Sequence, residues 1–275
     1  MNLPAVPDSF YWTHESWGAA LRCRPLDAVA QHLFTTRQLE LRGGGERSGG
    51  WQAIAAALDV GESALVCLRQ VHGRDVVVIR DGEPRPSFDA QPDADVLVSN
   101  DEHSAIAVQA ADCVPLLLAD PTTGVVAAVH AGWRGTVAGA ARAAVDSMQQ
   151  AFGARPADLI VAIGPSIGVC CYEVGSELVE AFADAGHEPS QIERWFSTMP
   201  SAGRQTLRLD LWAANRDQLL LAGVREDNVH VCGLCTASNP DVLYSYRAEG
   251  AAAGRLAAAI RPCGARHPRW PDVMP

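Results

Sequence analysis

Apolar and polar positions are most sharply ordered between Val108 and Gly135, VQAADCVPLLLADPTTGVVAAVHAGWRG. Two apolar runs, residues 115–119 and 125–130, flank Asp-Pro-Thr-Thr-Gly, which is turn chemistry, so the pair predicts a β-hairpin. With Pro121 and Thr122 as the loop, Cys113 faces His130, and their Cβ atoms lie ~4.5–5.5 Å apart. That separation suits two ligands of one metal ion, or a thiol and the imidazole that deprotonates it. A bulge at Gly124 shifts this register by one residue.

Either side of the hairpin the pattern gives further elements. Residues 32–37 read as a short strand ending in Arg37, and residues 51–58 as a helix. Between them QLELRGGGERSGG is loop composition. Apolar runs at 65–71 and 75–80 are separated by His-Gly-Arg and predict a second hairpin with His72 at a strand end. Strands are expected at 95–99, 104–109, 158–163 and 228–233. Helices are expected at 136–152, 175–185, 211–222 and 248–260, with Asp210 as the N-cap of the third. Residues 1–30 show no clean periodicity and read as an N-terminal extension packed on the body through Phe10, Tyr11, Trp12 and Trp17, while residues 261–275 read as irregular.

Composition narrows the function classes. At 275 residues with 48% apolar and 20% charged residues, the chain carries one sizeable core and no linker that divides it. The first residues lack a secretory pattern and no apolar run reaches the ~18 residues of a membrane span, so a cytoplasmic protein is expected. There the 8 cysteines are expected as buried, catalytic or metal-bound thiols. Cys170 and Cys171 read as small core residues, and Cys232-Gly-Leu-Cys235, without a second ligand pair, reads as structural. A net charge of −10 argues against nucleic acid and anionic membrane as partners. The basic residues are all arginine, so Schiff-base chemistry and a Walker-type phosphate loop are excluded. Nothing in the pattern signals a particular oligomeric state.

Gln70-Val-His72-Gly, Asp93-Ala-Asp95, Ala111-Asp-Cys113-Val-Pro115, Val129-His-Ala-Gly-Trp-Arg-Gly135, Ile163-Gly-Pro-Ser-Ile167, Leu209-Asp-Leu, Cys235-Thr and Ser245-Tyr-Arg247 together resemble the laccase-domain family, also called the YlmD/YfiH or peptidoglycan editing factor family. The likeness runs from about residue 32 to residue 260. It implies an α+β fold, a single-domain β-sandwich flanked by helices on its outer faces. It implies purine nucleoside phosphorylase activity with adenosine deaminase activity, on purine nucleosides and inorganic phosphate. Zinc (Zn2+) is implied as cofactor, with His72, Cys113 and His130 as ligands and a fourth position open, the arrangement of a catalytic site. The resemblance thus implies that such an ion would activate water for attack at C6 of adenine, giving inosine and ammonia. For phosphorolysis the resemblance implies phosphate attacking C1′ of the ribose as the purine leaves, with Arg134 as its holder and Arg37 as a further candidate. The same resemblance puts Asp112, Cys113 and Arg134 in the catalytic set and Gln70 and Arg247 beside the substrate.

The chain departs from the family pattern at TTRQLELRGGGERSGGW, which bears on the N-terminal wall of the pocket and on substrate choice. The older family name, polyphenol oxidase, fits poorly: multicopper oxidases use paired His-x-His ligands, and none of the 8 histidines forms such a pair. The competing reading makes Cys113 a nucleophile and His130 its base, in a Cys-His hydrolase or amidase editing peptidoglycan precursors; His72 has no task there. A zinc-stabilised binding module is a third reading, weakened by having three ligands.

Overall fold

The computed structural model describes residues 2–41, 49–87, 90–201 and 204–263. Its core is two six-stranded sheets stacked as a sandwich. The first runs in the order β1 (Phe10–Glu15), β2 (Gly18–Cys23), β3 (Ala30–Thr35), β14 (Leu256–Pro262), β7 (Ala105–Ala110), β4 (Leu65–Val66). The second runs β13 (Val229–Val231), β10 (Ile160–Ile163), β8 (Val114–Ala119), β9 (Val126–Ala131), β6 (Val96–Ser99), β5 (Val76–Ile79). A two-stranded ribbon, β11 (Phe196–Ser201) with β12 (Arg204–Leu209), stands outside them. The α+β sandwich expected from the family resemblance is what the chain forms.

Three apolar layers explain the stacking. Between the sheets, Phe34, Ile106, Val108, Leu117, Val126, Ala128, Ala258 and Ile260 make one core. The alternate residues of the same strands face outwards. Leu33, Ala107, Ala257 and Ala259 pack on Trp51, Ile54 and Leu58 around helix α2 (Gly49–Ala57), which follows the short α1 (Arg24–Asp27). On the other side Leu116, Leu118, Ala127 and Val129 meet Ala141, Ala144, Val145 and Met148 of α4 (Ala140–Phe152) and Leu211, Ala214 and Leu219 of α7 (Leu211–Leu221). Strands buried on both faces read as continuous apolar runs, which is why the 115–119 segment shows no alternation. The remaining helices are α3 (Trp133–Ala138), α5 (Glu177–Asp184), α6 (Pro189–Trp195) and α8 (Tyr246–Glu249). Asp210 caps α7 as expected, its Oδ1 accepting from the Ala213 amide at 2.9 Å.

Four expectations need correcting. The 113–131 hairpin forms, but Pro115, not Cys113, pairs with His130. Asp120 closes a four-residue loop by accepting from the Thr122 amide at 2.8 Å and the Thr123 hydroxyl at 3.0 Å, with Gly124 at φ 75. The slip is two residues, so every side chain keeps its face. Second, the runs 65–71 and 75–80 are not hairpin partners: β4 pairs with β7 in one sheet, β5 with β6 in the other, both parallel, and His72 sits at φ 62 in the bend between the sheets. Third, residues 248–260 are not a helix. A Cβ on Gly254 would meet the Tyr244 ring at 2.5 Å, so the backbone passes close over that ring, and the alanines beyond it form β14 between β3 and β7. Fourth, the helix expected at 136–152 starts at Trp133 and breaks at Gly139, whose φ of 84 suits glycine. Residues 1–30, where no periodicity stood out, supply β1 and β2. Of the glycine-rich 38–50 stretch, residues 42–48 lie outside the described residues, as do residues 264–275 of the tail.

Candidate active site

One end of the second sheet carries the start of β6, the start of β8 and the end of β9 side by side, because both neighbours run antiparallel to β9. The alternation that sends Val126 and Ala128 into the layer between the sheets sends His130 the same way. Cys113 lies two residues before Pro115, on the same face and diagonal to His130 across the ladder. Asp112, at φ 88, turns the chain into the strand. The bend at Val71–Gly73 brings His72 over both. The ligand atoms of His72, Cys113 and His130 all lie within 4.8 Å of one another, and the two imidazole rings meet edge to face at 4.9 Å. The predicted trio is therefore assembled.

Glycine at 132 makes room for it. A Cβ there would come to 2.6 Å from the Cys113 sulfur and 3.3 Å from His72 Cδ2, while its φ of −71 would suit any residue, so what position 132 requires is space.

Asp95 organises the group. Fully buried just before β6, it accepts from the amides of Val71 at 3.2 Å, His72 at 3.0 Å and Gly73 at 2.6 Å, and from His130 Nδ1 at 2.8 Å. Burial alone would raise its pKa, but these donors outweigh burial and hold it below the usual carboxylate range. The bond to Nδ1 turns His130 Nε2 towards Cys113 and His72, the way a second carboxylate orients a metal-ligating imidazole. In the sequence Asp95 stands only as the last letter of Asp93-Ala-Asp95; three consecutive amides converge on its carboxylate once the 71–73 bend is formed.

Burial would push the Cys113 thiol up, yet the charge of His130 and hydrogen bonds from His130 and His72 bring it down to about 6. Burial would likewise depress His130, but the Cys113 thiolate and Asp95 raise it to about 9. At neutral pH the pair is thus thiolate and imidazolium. A thiolate and two imidazoles, one oriented by a carboxylate and all with room between them, fit a tetrahedral ion that keeps one position open.

The trio lines a cleft of about 1050 Å³ at the end of the sandwich, with Gln70, Asp112, Trp133, Arg134, Tyr172, Tyr246 and Arg247 among its walls. Arg134 stacks on Trp133 at 4.3 Å and Arg247 on Tyr172 at 5.1 Å. Among the described residues no carboxylate is ion-paired with either guanidinium. Burial, then the charge of Cys113, push Tyr172 up to about 12, so its hydroxyl stays protonated.

Three predicted residues are occupied differently from what was expected. Asp112 accepts from the Thr236 hydroxyl and the Arg247 amide, both at 2.6 Å, so it ties two loops to the cleft. Gln70 spends its amide on the Gln109 backbone, donating at 2.8 Å and accepting at 2.7 Å, which fastens the 67–72 segment to β7. Arg37 does not line the cleft: it donates to the Pro240 carbonyl, pairs with Glu249 at 3.2 Å and lies over Tyr244 at 4.7 Å, so it braces the segment that presents Tyr246 and Arg247. Trp133 and Thr236 stand in the sequence only as letters of the Val129–Gly135 and Cys235-Thr motifs, and nothing in the local spacing marks Tyr172.

Comparison with known proteins extends over most of the chain. A family model described as "Multi-copper polyphenol oxidoreductase laccase" matches residues 49–262. A relative named purine nucleoside phosphorylase YlmD, from Geobacillus stearothermophilus, is 32% identical over 280 residues, covering 93% of this chain and 97% of its own. A protein named adenosine deaminase RL5, from an unknown prokaryotic organism, is 37% identical over 211 residues, 75% of this chain and 78% of its own. Among solved structures, that of Bacillus licheniformis hypothetical protein YfiH superposes with a TM-score of 0.81 at 26% identity, over 91% of this chain and 98% of that one.

Proposed function

We propose, since this chain belongs to the multi-copper polyphenol oxidoreductase laccase family, that it is a zinc-dependent purine nucleoside phosphorylase with adenosine deaminase activity. The chain is an enzyme, and its relatives carry both activities in their names. The observation that carries the reading is the convergence of His72, Cys113 and His130, backed by Asp95, on a cleft that also presents Arg134 and Arg247, neither ion-paired with a carboxylate among the described residues. The copper in the family description is not supported by the histidines, which form no His-x-His pair.

A zinc ion held by His72, Cys113 and His130 would supply Lewis acidity for water addition at C6 of adenine. Asp95 keeps the Nδ1 proton of His130 in place, so that Nε2 is the nitrogen that would give up its proton to solvent and bind the ion. The aromatic faces of Trp133 and Tyr246 offer apolar contact to a purine, and the Tyr172 hydroxyl offers a donor. Arg134 offers a planar donor fork, and Arg247, whose Nη1 donates to the Glu173 carbonyl at 2.8 Å, offers its remaining N–H groups, to phosphate and to the charge that moves from its oxygen to the departing base. Asp112 positions Arg247 through its amide.

A second reading is favoured by one observation: Cys113, His130 and Asp95 also have the order of a nucleophile, base and orienting carboxylate, as a Cys-His hydrolase of peptidoglycan precursors would require. His72 is superfluous to it. Incubating the purified protein with adenosine, with and without phosphate, decides. The first reading expects inosine in both and free base with ribose 1-phosphate only when phosphate is present; an unchanged nucleoside in both overturns it.

A further inference from the structure

Outside the residues that line the cleft a second group of thiols converges. Cys170, Cys171 and Cys235 offer three sulfurs within 4.8 Å of one another, with Cys170 and Cys171 at 3.6 Å. The Ser238 hydroxyl stands 3.2 Å from the Cys171 sulfur and 3.5 Å from that of Cys170. We propose that these three cysteines form a second metal site, taking a zinc ion with an oxygen of Ser238 or of solvent in the fourth position.

Local structure builds this convergence. The chain makes one tight turn, the Cys171 and Tyr172 amides both donating to the Gly168 carbonyl at 3.0 and 3.1 Å, which turns two neighbouring side chains to one side. Gly168 lets that turn lie against the opposite segment: a Cβ there would meet Trp212 at 3.0 Å and Cys235 Cβ at 3.2 Å. A bridge between Ser166 and Cys235 holds the two segments in register. The Gly168 amide donates to the Cys235 sulfur at 3.2 Å, the kind of bond that favours a thiolate.

The geometry matches the ion. Zinc–sulfur bonds of ~2.3 Å at tetrahedral angles put sulfurs roughly 3.8 Å apart, close to the Cys170–Cys171 separation. Packing accounts for Cys235, buried in the helix-side core, and in part for the half-buried Cys171 beside it, but not for the exposed Cys170 that completes the group. The Cys232-Gly-Leu-Cys235 motif, read as structural from the sequence, divides: Cys232 belongs to the core between the sheets and Cys235 to this group. Three thiolates on a divalent ion leave one net negative charge, and a hard oxygen as fourth ligand favours zinc over cuprous ion. Binding is proton exchange without redox change: each thiol still protonated ionises, its sulfur pair goes to the ion and its proton to solvent. Cys171 precedes Tyr172, and Cys235 precedes Thr236, which holds Asp112, so the ion would clamp the wall of the cleft.

The test is metal stoichiometry on the full chain, stripped under reducing conditions and titrated with zinc, and in parallel with cobalt(II) to report thiolate ligation. Wild type is expected to bind two ions per chain, falling to one for Cys170→Ser, whose position is exposed and tolerates the change. The cobalt spectrum should lose most of its thiolate charge-transfer intensity in Cys170→Ser and keep most of it in Cys113→Ser, since the cluster supplies three of the four thiolates. One ion per chain in wild type, with a spectrum that Cys170→Ser does not alter, overturns the proposal. So does a thiol count below 8 that reductant restores, which makes the group a disulfide, and so does stoichiometric uptake of cuprous ion with none of zinc.

Discussion

Replacing Asp95 by asparagine removes one acceptor oxygen from a carboxylate that serves four donors, and the structure sets the consequence. One oxygen takes the amides of Val71 and Gly73, the other takes the His72 amide and His130 Nδ1. If the asparagine carbonyl keeps the second pair, its amide group faces two N–H donors. If it flips, His130 must carry its proton on Nε2, the atom aimed at the metal. The first outcome leaves two part-buried donors unpaired; full burial would cost ~1–3 kcal/mol each, and partial exposure brings the net loss to about 2 kcal/mol, a fall of roughly 4–8 °C in Tm for a chain of this size. The second costs metal affinity, where loss of an orienting partner is worth about 10–100-fold. Asp93→Asn is the control: two residues away, it changes a carboxylate whose partner is the exposed Arg69. Chelator-competition titration with zinc, alongside thermal melts, reads both quantities. Zinc affinity of Asp95→Asn within twofold of wild type, with an unchanged melt, would refute the assignment of Asp95 as organiser of the site.

Other perturbations test neighbouring links. Gly132→Ala places a methyl 2.6 Å from the Cys113 sulfur on a backbone that tolerates it, so zinc occupancy should fall at least tenfold while the Tm moves little; retained occupancy would sink the space argument. Arg134→Ala should raise the phosphate concentration needed for base release by about tenfold or more, with deamination of adenosine falling less, because an arginine–phosphate fork contributes ~1.5–3 kcal/mol; equal loss of both activities points to a structural role. In metal-free protein the Cys113 thiolate exists above about pH 6, so alkylation at Cys113 should stay fast down to that pH and slow below it. A midpoint near the ordinary thiol value of about 8.5 would contradict the thiolate–imidazolium pair.

Cys113 and His130 were legible as a pair in the sequence although the register that joins them is off by two, because an even slip preserves the face on which each side chain lies; His72 enters through the family resemblance. The bend that brings His72 to them was not legible. Apolar runs either side of His-Gly-Arg look the same whether they pair with each other or enter different sheets, and long-range partners decide. The alanines of β14 match a helix by propensity, but small residues are what a central strand needs when both faces are pressed by neighbours. Asp95 was in view as a letter of a motif; its role depends on the 71–73 backbone, which no side-chain pattern encodes. Arg37 is a phosphate ligand only by the family resemblance; no local pattern reveals that Glu249, more than two hundred residues later, pairs with it.

The measurement closest to the central claim separates metal-assisted chemistry from cysteine nucleophilicity at the same atoms. The purified protein is stripped of metal, assayed with adenosine, then treated with a thiol-alkylating agent before and after zinc is restored. If His72, Cys113 and His130 work as metal ligands, stripping abolishes turnover, zinc restores it, and zinc added first shields Cys113 from alkylation. Full activity in the stripped protein, lost once Cys113 is alkylated, would contradict the account and give the site to the hydrolase.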